Sequence, residues 1–153
     1  MQLLIDLINN KPLVIAAISW LVAGILKTLV ELRVNKKLVL TRIVGAGGMP
    51  SSHTATVVSL AIAIGYYIGL SSAEFAIAMI FAIVVIHDAV GVRLETGKQA
   101  KVLNTMMFES EAFKDLDFEK QLKEYVGHTP LQALVGAIVG VITTLFMIFV
   151  VYR

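Results

Sequence analysis

Apolar residues run through this chain in long blocks, and the few polar residues gather near the block ends. Four blocks reach or approach the roughly 20 residues that a helix needs to cross a hydrocarbon core of about 30 Å. They cover residues 13–32, 54–70, 75–92 and 130–152. The first carries Lys27 well inside it and Glu31 one turn on; the second is uncharged; the third has His87 and Asp88 near its far end. The fourth lacks the polar stripe that a helix of a water-soluble bundle would show. Only residues 71–74 separate the second block from the third, which predicts a helical hairpin. The expected fold is all-α: a polytopic membrane helix bundle with about four transmembrane helices, a single integral-membrane domain over 1–153.

Composition strengthens this reading. Of 153 residues 58% are hydrophobic and 16% charged, with mean hydropathy +0.83, against about 25% charged in ordinary soluble domains. A net charge of +2 offers no broad basic field, so nucleic acid is not an expected partner. The chain has no cysteine, which removes disulfides, thiolate metal sites and thiol nucleophiles. With four crossings, residues 33–50 and 93–129 lie on the same side. Ten lysines and arginines, from Arg33 to Lys123, fall there, against Lys11 and Arg153 opposite. The positive-inside bias therefore predicts cytoplasmic polar loops, and in a bacterium the plasma membrane. Gly65-x-x-x-Gly69 and Gly136-x-x-x-Gly140 permit close helix approach within one chain or between two, so a homodimer and a monomer stay equally open. Tyr66, Tyr67 and Tyr152 read as interfacial anchors.

The loop over 94–128 carries Leu103, Met106 and Met107 at helical spacing and later Leu122, Tyr125 and Val126. Its acids, among them Glu109, Glu111, Asp115, Asp117, Glu119 and Glu124, alternate with lysines. One or two amphipathic helices lying on the membrane are expected here. Such mixing of charge looks like helix-surface pairing more than a Mg²⁺ site.

The scarce ionisable groups converge. Lys27, His53, His87, Asp88, Arg93 and His128 all fall near one membrane face, and ionisable groups at membrane depth mark a functional site by default. The run Gly-Ala-Gly-Gly-Met-Pro-Ser-Ser-His-Thr (45–54) combines glycines such as Gly48, free to wrap a ligand, with Pro50, Ser51 and Ser52 as a helix start. Gly127-His128-Thr129-Pro130 repeats the arrangement. A helix N-terminus, with its unpaired N–H groups and positive dipole end, suits an oxyanion. Two histidines at two helix starts, with Lys27 and Arg93 nearby, describe a phosphate-sized site. One imidazole could attack phosphorus while the other protonates the leaving oxygen. Hydrolysis by a metal held on His53, Asp88 and His128 is the competing chemistry.

These motifs resemble the divergent branch of the type-2 phosphatidic acid phosphatase superfamily, proteins related to acid phosphatases and vanadium-dependent haloperoxidases. The resemblance spans nearly the whole chain. It rests on Gly-Gly-Met-Pro-Ser-Ser-His (47–53), on Asp-Ala-Val-Gly-Val-Arg (88–93) with Gly97, Gln99-Ala100 and Leu103-Asn104 behind it, and on Gly-His-Thr-Pro (127–130) followed by Gly136. It implies a phosphatase acting on a lipid phosphate or diphosphate through a phosphohistidine, with no metal and no other cofactor. His128 would be the nucleophile and His53 the acid, with Asp88 standing in for the superfamily's aspartate as a third catalytic group. Lys27, Ser51, Ser52, Arg93 and Gly48 would bind phosphate. Ser52 stands where the superfamily has glycine, and Gln132 where it has aspartate. The usual arginine six residues before the second histidine is replaced by Leu122. These departures raise a second reading, a membrane protein that binds anionic lipid, or acts as a scaffold, without turnover.

Overall fold

The computed structural model describes residues 1–36, 39–43, 45, 47–109, 120–124 and 126–153, with the side chain of Arg42 left aside. Expectations resting on Lys37, Glu111, Lys114, Asp115, Asp117, Glu119 and Tyr125 lie outside the described residues. A short helix α1 (Gln2–Asn9) precedes α2 (Lys11–Asn35). Asn10 separates them: its side chain accepts from the Leu13 N–H at 3.2 Å and starts α2, with Pro12 in the first turn. After a 3₁₀ turn (Leu40–Arg42) come α3 (Ser52–Tyr67), α4 (Ala73–Val90), α5 (Val92–Glu109) and α6 (Pro130–Phe146), the last prolonged by one π-helical turn (Met147–Val151).

The four predicted blocks become α2, α3, α4 and α6, each within a few residues of its expected bounds. Three helical stretches are long and apolar enough to cross a membrane: Lys11–Asn35, Ala73–Glu109 and Pro130–Val151. Helix α3 has 16 residues, about 24 Å at 1.5 Å per residue, less than a hydrocarbon core. It packs against α2, α4 and α6, at the centre of the bundle.

That central place follows from its residues. Ser52, Ala55, Ser59 and Ala63 recur every four or so positions and are buried. The Ser19 hydroxyl of α2 donates to the Ala55 carbonyl at 3.1 Å. From the other side α6 brings Gly136 and Gly140. A Cβ on Gly136 would lie 2.4 Å from the Ser51 carbonyl oxygen, and one on Gly140 would lie 2.6 Å from that of Ala55. The second glycine motif therefore joins helices within the chain. Lipid tails offer no hydrophobic reward for helix association, so small residues that let backbones touch supply the contact. The large apolar residues face outward instead, among them Leu21 and Ile25, Ile77 and Phe81, Ile138 and Ile142.

Gly91, with φ −102° and ψ −93°, interrupts the helix between α4 and α5. In α5, Gly97, Ala100 and Asn104 are buried. Asn104 exchanges two hydrogen bonds with the Leu122 backbone, at 2.8 and 2.9 Å, and donates to Glu124 Oε1 at 2.9 Å. A Cβ on Gly97 would lie 2.3 Å from the Glu124 carbonyl oxygen. The sequence predicts one or two helices over 94–128; among the described residues one forms, and the chain's own returning segment covers its buried face. At the far end of the bundle the Lys11 ammonium sits 5.1 Å from the Tyr67 ring and 5.3 Å from that of Tyr152, a cation–π closure.

Candidate functional site

Three chain reversals build the site. Ser51 caps α3: its Oγ accepts from the Thr54 N–H at 3.3 Å and from the Thr54 hydroxyl at 3.0 Å. Thr129 caps α6 in a reciprocal box, with its Oγ1 accepting from the Gln132 N–H and Gln132 Oε1 accepting from the Thr129 N–H at 3.0 Å. One backbone bond joins these starts, Ser51 N–H to the Gln132 carbonyl at 3.1 Å, and another, His128 N–H to the Ala89 carbonyl at 3.0 Å, ties the start of α6 to α4.

The two helix-start histidines meet. Their ring centroids are 6.2 Å apart with planes tilted by 58°. Both line a cavity of about 260 Å³ with Asp88, Arg93, Val84, Val85, Ala89 and Val126. Arg93 Nε donates to Asp88 Oδ2, and both side chains are partly exposed. His53 is exposed, whereas His128 is only 2% exposed and its Nδ1 has no hydrogen-bond partner among the described residues. Burial holds the His128 imidazole below its ordinary range, and the charges of Lys27 and His53 push the same way. The neighbouring Gln132 side chain and Gly48 backbone act in the opposite direction.

The other expected phosphate groups stand behind this cavity rather than in its wall. Lys27 is 2% exposed, and its Nζ donates to the Gly45 carbonyl at 3.0 Å and to Ser52 Oγ at 3.3 Å. It thereby ties the glycine loop to α2 and keeps its charge near both imidazoles. Ser51 and Ser52 are buried in the start of α3. Gly48 adopts φ +79° beside Gly47 at +77°, a left-handed pair that a side chain would strain. His87 is exposed and lies outside the cavity wall, and Glu31 accepts from Asn35 at 2.8 Å. Among the described residues no three His, Asp or Glu side chains gather as metal ligands.

A family profile described as "Divergent PAP2 family" matches residues 8–143. The chain belongs to this family. It is also 33% identical over 154 residues to the uncharacterized membrane protein YuiD of Bacillus subtilis (strain 168), covering 94% of this chain and 98% of that one. No solved structure matches it. With three membrane-length apolar helices, this member of the divergent PAP2 family is an integral membrane protein.

A second cavity, of about 340 Å³, adjoins the first at Val126 and is lined by Gly47, Gly48, Leu94, Gly97, Lys98, Lys101, Glu124, Gly127, Thr129 and Gln132. In the sequence Gly97 belongs to the family resemblance, whereas Lys98 and Lys101 read only as loop charge. The signal was present, since Gly97 and Lys101 are one turn apart on α5.

Proposed function

We propose that this protein is an integral-membrane phosphatase that hydrolyses a lipid phosphate or diphosphate through a phosphohistidine. The observation that carries the reading is the pair of histidines from two helix starts, 6.2 Å apart in one cavity beside the Asp88–Arg93 pair. A neutral His128 attacks phosphorus with a ring-nitrogen lone pair as the bond from phosphorus to the lipid oxygen breaks, and that oxygen takes a proton from the His53 imidazolium. Water then gives a proton to His53 and attacks phosphorus. The nitrogen–phosphorus bond breaks, and orthophosphate leaves. Arg93 holds the phosphoryl oxygens, Asp88 orients Arg93, and Lys27 adds positive charge from behind the glycine loop. The resemblance implies no metal in these steps.

Purified protein in mixed micelles with a lipid phosphate tests this. His128→Ala is expected to stop orthophosphate release while the protein stays folded; an unchanged rate overturns the reading.

A second reading, lipid-phosphate binding without turnover, draws on a specific feature. Gln132 stands where the superfamily has aspartate. The backbone N–H of Thr129 requires an acceptor, so Gln132 Oε1 is committed to the cap and its free end is an NH₂ donor. Among the described residues no carboxylate then steadies an imidazolium at His128, whose buried Nδ1 finds no partner among them. Binding of the lipid phosphate without release in the same assay would favour this reading.

A further inference from the structure

We propose that the cavity walled by Lys98 and Lys101 is a second phosphate subsite, which takes one phosphoryl group of a ligand carrying a diphosphate while the histidine cavity holds the other. This deepens the reading of the histidine cavity as a phosphate site and rests on it. The wall is rich in donors. Lys98 and Lys101 contribute ammonium groups from one face of α5, and Gln132, whose oxygen is held by the Thr129 N–H, lines the same wall. Lys98 also donates to Glu95 at 2.7 Å, both side chains being well exposed, a contact that an anion can displace at little cost. The only carboxylate in the described wall is that of Glu124, whose Oε1 accepts from Asn104 Nδ2.

The place of the cavity gives the ligand its shape. Val126 lines both cavities, the Gly48 backbone at the edge of the lysine cavity lies against His128, and Gly127 and His128 face one cavity each. A monophosphate fills one of two adjoining anion sites. Two linked phosphoryl groups fill both, and the linkage makes the second contact intramolecular.

The test measures binding, so it holds whether or not the protein turns over. Full-length protein in detergent is titrated with methylenediphosphonate and with orthophosphate, for the wild type and for Lys98→Ala/Lys101→Ala, both exposed positions on α5. The diphosphonate should bind the wild type at least tenfold tighter than orthophosphate, and the double variant should lose that tenfold. Equal diphosphonate affinity in wild type and variant overturns the subsite. A prenyl diphosphate in the same micelles distinguishes two sources of the same chemistry. If it competes more strongly than inorganic diphosphate, the group belongs to a lipid headgroup; equal competition assigns it to a soluble diphosphate, and both support the subsite. Failure of the phosphatase reading is seen separately, as no orthophosphate release by the wild type.

Discussion

His128 sits where an imidazole stays neutral. Burial, the largest influence, and then the nearby charges of Lys27 and His53 disfavour its protonated form, so the proton leaves below the ordinary 6.5. A neutral ring is the nucleophilic one, and lowering its proton affinity extends that form toward acid. If His128 attacks phosphorus, the acid limb of kcat/KM falls below pH 6.5; an acid limb above that value contradicts the assignment. Gln132→Glu keeps a residue able to complete the capping box and places a carboxylate beside the ring. It should raise the His128 pKa, read as a shift of that limb toward neutral pH, and a shift toward acid would contradict the contact. Arg93 is half exposed and paired with Asp88, so Arg93→Ala should leave the fold intact. It removes a charged donor, whose bond to an oxyanion contributes about 1.5–3 kcal/mol. Vanadate or orthophosphate affinity should fall roughly tenfold or more, and equal affinity in calorimetry would exclude Arg93 from the site.

Among elements, α3 is the one whose place decides the rest. Its neighbours reach it through small residues, and a methyl on Gly136 would press into the Ser51 carbonyl at 2.4 Å. Backbone offers no rotamer to escape, so Gly136→Ala should cost about 1–3 kcal/mol and lower the melting temperature in detergent. Leu134→Ala, on the outward face at 58% exposure, should change it little. Equal effects would mean that α6 does not dock on α3 by this face. The helices themselves were legible because apolar length marks them. The histidine meeting was legible too, because Pro-Ser-Ser-His and Gly-His-Thr-Pro each read as a helix start. Hidden from the sequence was which polar groups reach the cavity. Lys27 and Ser52 look alike as phosphate ligands and as partners of each other, and only the fold, which sets the Gly45 carbonyl and Ser52 Oγ within reach of the Lys27 ammonium, places them behind the wall. The role of α5 was hidden for a related reason: Asn104 finds its partners 18 and 20 residues away, at Leu122 and Glu124.

At the scale of the whole molecule, the two adjoining cavities draw most of their helical wall from different helices. The lysine cavity takes Leu94, Gly97, Lys98 and Lys101 from α5, whereas the histidine cavity takes Val84, Val85, Asp88 and Ala89 from α4, beside Arg93 and the two histidines. On α4, Ile77, Phe81 and Val84 follow one another at helical spacing and are 70%, 52% and 58% exposed. That outward stripe, which an integral membrane protein presents to lipid, leads one turn further to Asp88 in the cavity wall. A lipid chain can therefore lie along α4 while its headgroup enters between His53 and His128. If the protein hydrolyses lipid phosphates as proposed, this arrangement would separate lipid substrates from small soluble ones by geometry. Val84→Trp places bulk in the wall of the cavity without replacing an imidazole, Arg93 or Asp88. Turnover of a long-chain lipid phosphate should fall about tenfold relative to that of a small water-soluble aryl phosphate, since the soluble ester does not need the path along α4. The ratio of the two kcat/KM values is the measurement, because it cancels any loss common to both. A ratio unchanged by the substitution would mean that substrate arrives from the lysine side, and that the apolar wall of the histidine cavity serves packing alone.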